Sequence, residues 1–73
     1  MYRHEILNKA ESMLIQNKYI TLIFIDENNK RDKYEVKGIE EVIDIFDLNY
    51  FDYVIEDYEN VFNMIKIFVR GEE

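Results

Sequence analysis

The chain has 73 residues, 9 of them Lys or Arg and 16 Asp or Glu, for a formal charge of −7, and it contains no Cys, Pro or Trp. So few residues make one domain, spanning 1–73, whose folding covers only about 60% of the unfolded surface, with no disulfide or thiolate zinc site to reinforce it. An apolar share of 48% argues against disorder, no apolar run reaches the ~18 residues of a membrane span, and the acid-bearing start Met1-Tyr2-Arg3-His4-Glu5 is no secretory leader, so a cytoplasmic protein without membrane contact is expected.

Residues 4–17 predict a helix, because Ile6, Leu7, Ala10, Met13 and Leu14 recur at helical spacing. Residues 19–26 predict a strand that is apolar on both faces. Ile20, Leu22 and Phe24 lie on one side, Thr21, Ile23 and Ile25 on the other, which suits a central position. A turn follows at 27–30, where Asn tolerates positive φ. Residues 31–37 then alternate, with Tyr34 and Val36 inward and Lys33, Glu35 and Lys37 outward, the pattern of a charged edge strand. After Gly38, residues 39–48 predict a second helix with Ile39, Val42, Ile43 and Phe46 toward the core. Two more strands are read at 50–57 and 61–70, joined by a turn at Tyr58-Glu59-Asn60 and followed by a frayed tail at 71–73.

The order is α-β-β-α-β-β. Short connections favour hairpins, so the expected fold is α+β, a four-stranded antiparallel sheet with two helices on one face. Two short helices cannot cover Ile23, Ile25, Phe62, Met64 and Phe68 as well. That surface is either ordinary exposed apolar area or the seat of another chain, a homodimer included.

The charge is segregated. Residues 1–37 hold seven bases and six acids, a net of +1, whereas residues 38–73 hold two bases and ten acids, a net of −8. No base occurs in residues 38–65. Within that stretch Glu40, Asp44 and Asp47 fall at i, i+4 and i+7, along one outer helix face, with neighbouring carboxylates about 5–6 Å apart. Asp52, Glu56 and Asp57 follow, interleaved with Tyr50, Tyr53 and Tyr58, and tyrosine adds amphipathic contact area at little entropic cost. The alternative is a solvated acidic face that serves solubility.

Other chemistry finds little support. Asp26 to Asp32 has the outline of a calcium loop but places Lys30 at its fifth position, Arg31 where Gly is needed and Lys37 at the twelfth. His4 has no second His or Cys with which to hold a transition metal, and no cofactor is expected. Ser12 lies in a helix without a base partner, and two glycines cannot build a phosphate loop, so an enzyme is not expected. Lys30, Arg31, Lys33 and Lys37 surround Tyr34, yet the overall charge opposes direct nucleic-acid binding.

In length, composition and the acidic stretch 40–59, the chain resembles the small phage-encoded inhibitors of host defence, such as the anti-CRISPR proteins and the anti-restriction DNA mimics. That resemblance implies a non-enzymatic inhibitor that occupies the basic surface of a host nuclease or another nucleic-acid-binding effector in the host cytoplasm. Glu40, Asp44, Asp47, Asp52, Glu56 and Asp57 would supply charge, and Tyr50, Tyr53 and Tyr58 contact area. An antitoxin or immunity protein facing a basic toxin, and a homodimeric regulatory adaptor, are the alternatives.

Overall fold

The computed structural model describes residues 2–71. Its elements are α1 (Tyr2–Gln16), β1 (Ile20–Ile25), β2 (Arg31–Val36), α2 (Ile39–Asn49), β3 (Tyr53–Val61) and β4 (Met64–Gly71). The α+β class and the element order are as the sequence predicts. Ile6, Ala10 and Met13 of α1 and Val42 and Phe46 of α2 meet Ile20, Leu22, Phe24, Ile65, Ile67 and Val69 of the sheet in one core. Asn17 closes α1, its backbone N–H and its side-chain amide both donating to the Met13 carbonyl, at 3.0 and 2.8 Å.

The expected all-antiparallel sheet is corrected. The strand order is β2-β1-β4-β3, and the central pair β1–β4 is parallel, so the sheet is mixed. The reason lies in α2. Its 11 residues span roughly 16 Å at 1.5 Å per residue, close to the length of a six-residue strand. A helix of that length carries the chain back to the end of the sheet where β2 began, so β3 runs in the direction of β2. The antiparallel β3–β4 hairpin then sets β4 parallel to β1.

The last hairpin also differs from expectation. Tyr50 lies before β3, and the predicted turn residues Tyr58, Glu59 and Asn60 are strand residues. The turn is instead Phe62-Asn63, between paired Val61 and Met64. Asn60 still serves it from the side, its amide donating to the carbonyls of Phe62 at 3.3 Å and Met64 at 3.0 Å. A bulge separates the Ile55–Val69 pair from the Asp57–Phe68 pair. The extra residue reverses the alternation, so Tyr53, Ile55 and then Tyr58 all pack on the core. Without it, Asp57 would face the core.

Gly71 belongs to β4, while the rest of the predicted tail lies outside the described residues. In the first hairpin, Asn29 takes the positive φ expected of an Asn, 64°. The Asp26 carboxylate there accepts the N–H groups of Asn28 and Lys30, each at 2.9 Å. No helix among the described residues is long and apolar enough to cross a membrane.

Phe62 has φ of 55° and is 94% exposed. A bulky residue in left-handed backbone is strained by about 1–2 kcal/mol, and this ring recovers little through burial. Phe62→Gly is therefore expected to stabilise the fold by about 0.5–1 kcal/mol, after the entropy cost of Gly, by making a favoured Gly-Asn hairpin loop. A rise in the urea midpoint at unchanged slope would show it, and a fall would refute it.

Candidate functional site

Helix α2 has two unlike faces. Val42 and Phe46 are buried, whereas Glu40, Asp44, Asp47 and Leu48 are exposed along the opposite side. Phe51, just past the helix end, continues that spacing. Leu48 is 76% and Phe51 73% exposed, so the acids surround two large apolar side chains in water. Asp52 follows, also exposed. Glu40 and Glu41 near the helix start suit its dipole, and Glu41 Oε1 accepts the Lys37 N–H at 2.8 Å. Asp47 near the other end opposes the dipole, and Arg3 of α1 pairs with it while lying 5.4 Å from the Phe46 ring centre. Among the described residues Glu40, Asp44 and Asp52 have no ion-pair partner.

The acids read as one stretch of sequence divide in space. Helix α2 packs over β2, while β3 is the opposite edge of the sheet. Glu56 pairs with Arg70 at 2.9 Å at the bulge, and Asp57 lies on the sheet face turned away from the helices. Glu40, Asp44 and Asp47 thus share the outer face of α2, Asp52 lies in the short loop that leads into β3, and Glu56 and Asp57 belong to another surface.

The tyrosines are structural first. Tyr50 is only 8% exposed and stacks on Phe24, ring centres 3.9 Å apart and 8° from parallel. Its hydroxyl donates to Asp32 Oδ2 at 3.0 Å, which leaves it to accept from Tyr34 at 3.4 Å, and Tyr34 in turn accepts from Asn49 Nδ2 at 3.1 Å. The chain Asn49, Tyr34, Tyr50, Asp32 ties the end of α2 to β2, each bond polarising the next. At 8% exposure, Tyr50 offers little surface to a partner. Tyr53 is half-buried against it, ring centres 5.1 Å apart. Tyr58 is half-buried edge-on to Tyr2 and donates to Glu5 Oε1 at 3.1 Å, a bond that pushes its hydroxyl above the ordinary tyrosine range.

Sequence reasoning missed Leu48, Phe51 and Asp32. Leu48 continues the acidic spacing of α2, and that was its signal. Asp32 shares the inward parity of Tyr34 and Val36, which marks a polar group needing a buried donor. Phe51 was read inside a strand, and nothing local distinguishes it from one.

A cleft of about 260 Å³ opens between the ends of α1, α2 and β3, lined by Tyr2, Arg3, Phe46, Phe51, Tyr53 and Val54 among others. It is smaller than the ~300–1,000 Å³ of most small-molecule sites. Among the described residues, no three His, Cys, Asp or Glu side chains group as metal ligands.

Burial, followed by the hydrogen bonds to Tyr34 and Asp32, raises the Tyr50 hydroxyl well above its ordinary range. A group raised in the folded state stabilises fully below its unfolded value, about pH 10, and that contribution is lost as pH climbs beyond it. Tyr50→Phe is expected to cost about 1–2 kcal/mol near neutral pH, because Asp32 loses its donor. It should also flatten the decline in stability above about pH 10. Urea midpoints at neutral and alkaline pH measure both, and an alkaline slope as steep as the parent's would refute the assignment.

The chain matches no known protein family, no curated protein and no solved structure.

Proposed function

We propose that the protein is a non-enzymatic acidic binding protein that inhibits a nucleic-acid-binding effector by occupying its basic surface through α2. The observation that carries this reading is the outer face of that helix. Glu40, Asp44 and Asp47 line it beside the exposed Leu48, the exposed Phe51 and Asp52 follow in the next loop, and among the described residues Arg3 is the only cation paired with any of these four acids.

Carboxylates along a rigid helix repeat every 5–6 Å, a spacing close to that of phosphates along a nucleic-acid strand. Charge of one sign steers a basic partner and sets register. The apolar pair supplies what phosphates lack, area that leaves water on contact and fixes a protein partner rather than a counterion. Asp47 is paired with Arg3 at the far end of the helix.

The triple variant Glu40→Gln, Asp44→Asn, Asp52→Asn keeps shape and removes three charges. Nucleic-acid-binding proteins retained from a bacterial lysate by the parent chain are expected to be released by duplex DNA and by salt. The variant should hold the same proteins about tenfold or more weakly, as loss of steering and desolvated charge pairs implies. Equal retention by the variant, or a bound protein that excess DNA fails to displace, would refute the reading.

A further inference from the structure

The sheet face turned away from the helices has a pattern of its own. Across the strands in register, Arg31, Ile25, Phe68 and Asp57 form one row. Lys33, Ile23, Lys66 and Glu59 form the next, and Glu35, Thr21, Met64 and Val61 the third. The face is therefore basic along much of β2, mainly apolar through the middle and acidic along much of β3. Arg31, Lys33, Asp57 and Glu59 are exposed, while β2 and β3 are the two edges, about 14 Å apart at ~4.8 Å per strand. The bases of one edge cannot reach the acids of the other within a single chain.

We propose that this face docks on the same face of a second copy, with the two-fold axis parallel to the strands. That rotation lays β2 of each protomer over β3 of the other. Arg31 then meets the partner's Asp57, and Lys33 the partner's Glu59. The half-buried Phe68 and Met64 of each copy lie over the partner's Ile25 and Thr21, Ile25 being only 6% exposed within one chain. Each contact occurs twice, as an isologous interface requires. A two-fold axis across the strands would instead stack β2 on β2 and β3 on β3, like charge on like. A foreign partner would have to carry the same charge stripes in reversed order, whereas this face supplies its own complement. Lys66, in register with Glu59 of its own sheet, falls over the partner's Ile23.

The footprint, four strands at ~4.8 Å by six residues at ~3.3 Å, is roughly 400 Å² per copy. That is small for a permanent dimer, so the association is reversible and concentration-dependent.

Sedimentation of the full chain from about 10 to about 500 µM, a range that brackets weak association, is expected to show a monomer–dimer equilibrium weakened by salt. Two folded variants divide the interface: Arg31→Glu with Lys33→Glu, and Asp57→Lys with Glu59→Lys. Each alone should associate about tenfold or more weakly than the parent. An equimolar mixture should regain dimer, because an acidic face then meets a basic one at both edges. Circular dichroism and urea midpoints check that both fold. If either does not, the milder single variants Arg31→Cys and Asp57→Cys replace them. Mixed with a short bismaleimide, whose arm spans the ~10 Å between packed sheets, these should cross-link with each other faster than either does with itself. The triple α2 variant should dimerise like the parent, which separates this interface from the α2 surface. A parent that stays monomeric, a mixture no better than its components, or cysteines that cross-link without preference would each overturn the proposal.

Discussion

Strands β1 and β4 carry apolar side chains on both faces, and neither tolerates an edge. Ile23 and Ile25 are 8% and 6% exposed on the side where no helix lies. They reach that burial because β2 and β4 flank them, with Arg31, Lys33, Lys66 and Phe68 in register. Moving either central strand outward would strip one row of neighbours from residues that need two. The hairpins must therefore meet through β1 and β4, which leaves the charged strands β2 and β3 outside, where their side chains also discourage edge pairing. Strand order, the core beneath the helices and the charge of both edges all follow from that one requirement.

The same requirement explains which features are legible in the residues. The helical stripes of Ile6, Ala10, Met13 and of Ile39, Val42, Phe46 declare their faces by spacing alone, whereas Ile43, expected toward the core, is only half-buried at the margin and Ile45 packs on the core instead. The clean alternation of Lys33, Tyr34, Glu35 and Val36 likewise marks an edge strand, which β2 is. Direction in the central pair is not local, because it depends on how far α2 carries the chain. A single helix between two hairpins is nonetheless the crossover that makes strands parallel, and its length was readable. A strand ending at Asp57 with a turn at 58–60, as the sequence predicts, leaves no place for the bulge at Glu56. The adjacent acids Glu56 and Asp57, with Ile55 before and Tyr58 after, fit a strand only if one residue is extra.

The candidate surface was legible in part for the same reason. Helical spacing placed Glu40, Asp44 and Asp47 together, since that geometry is intrinsic to the helix. Asp52, Glu56 and Asp57 follow them closely in sequence, but Asp52 lies in the loop before β3, and Glu56 and Asp57 lie in β3 at the far edge of the sheet. Tyrosines are ambiguous in principle, because one ring serves a core and an interface equally well. Tyr50 is decided by Phe24 and Asp32, partners distant in sequence that no spacing rule connects to it.

The two surfaces described above lie on opposite sides of the sheet, and this has an electrostatic consequence. In the proposed dimer Arg31 and Lys33 are matched against Asp57 and Glu59, so the sheet faces neutralise each other between the protomers. What remains outward is α2 of each copy, with Glu40, Asp44 and Asp52 unmatched by any cation among the described residues. Sheet faces pack about 10 Å apart, with a helix layer on either outer side, so the two acidic faces point in opposite directions across the particle. Such a geometry cannot grip one continuous basic groove with both helices. It suits two separate target molecules, one on each side, so dimerisation would change stoichiometry more than the strength of any single contact. The segregation of charge along the chain then has a structural sense. On these two proposals the nearly neutral first half would contribute the bases for self-association, β3 their acidic counterparts, and α2 would be left to face a basic partner.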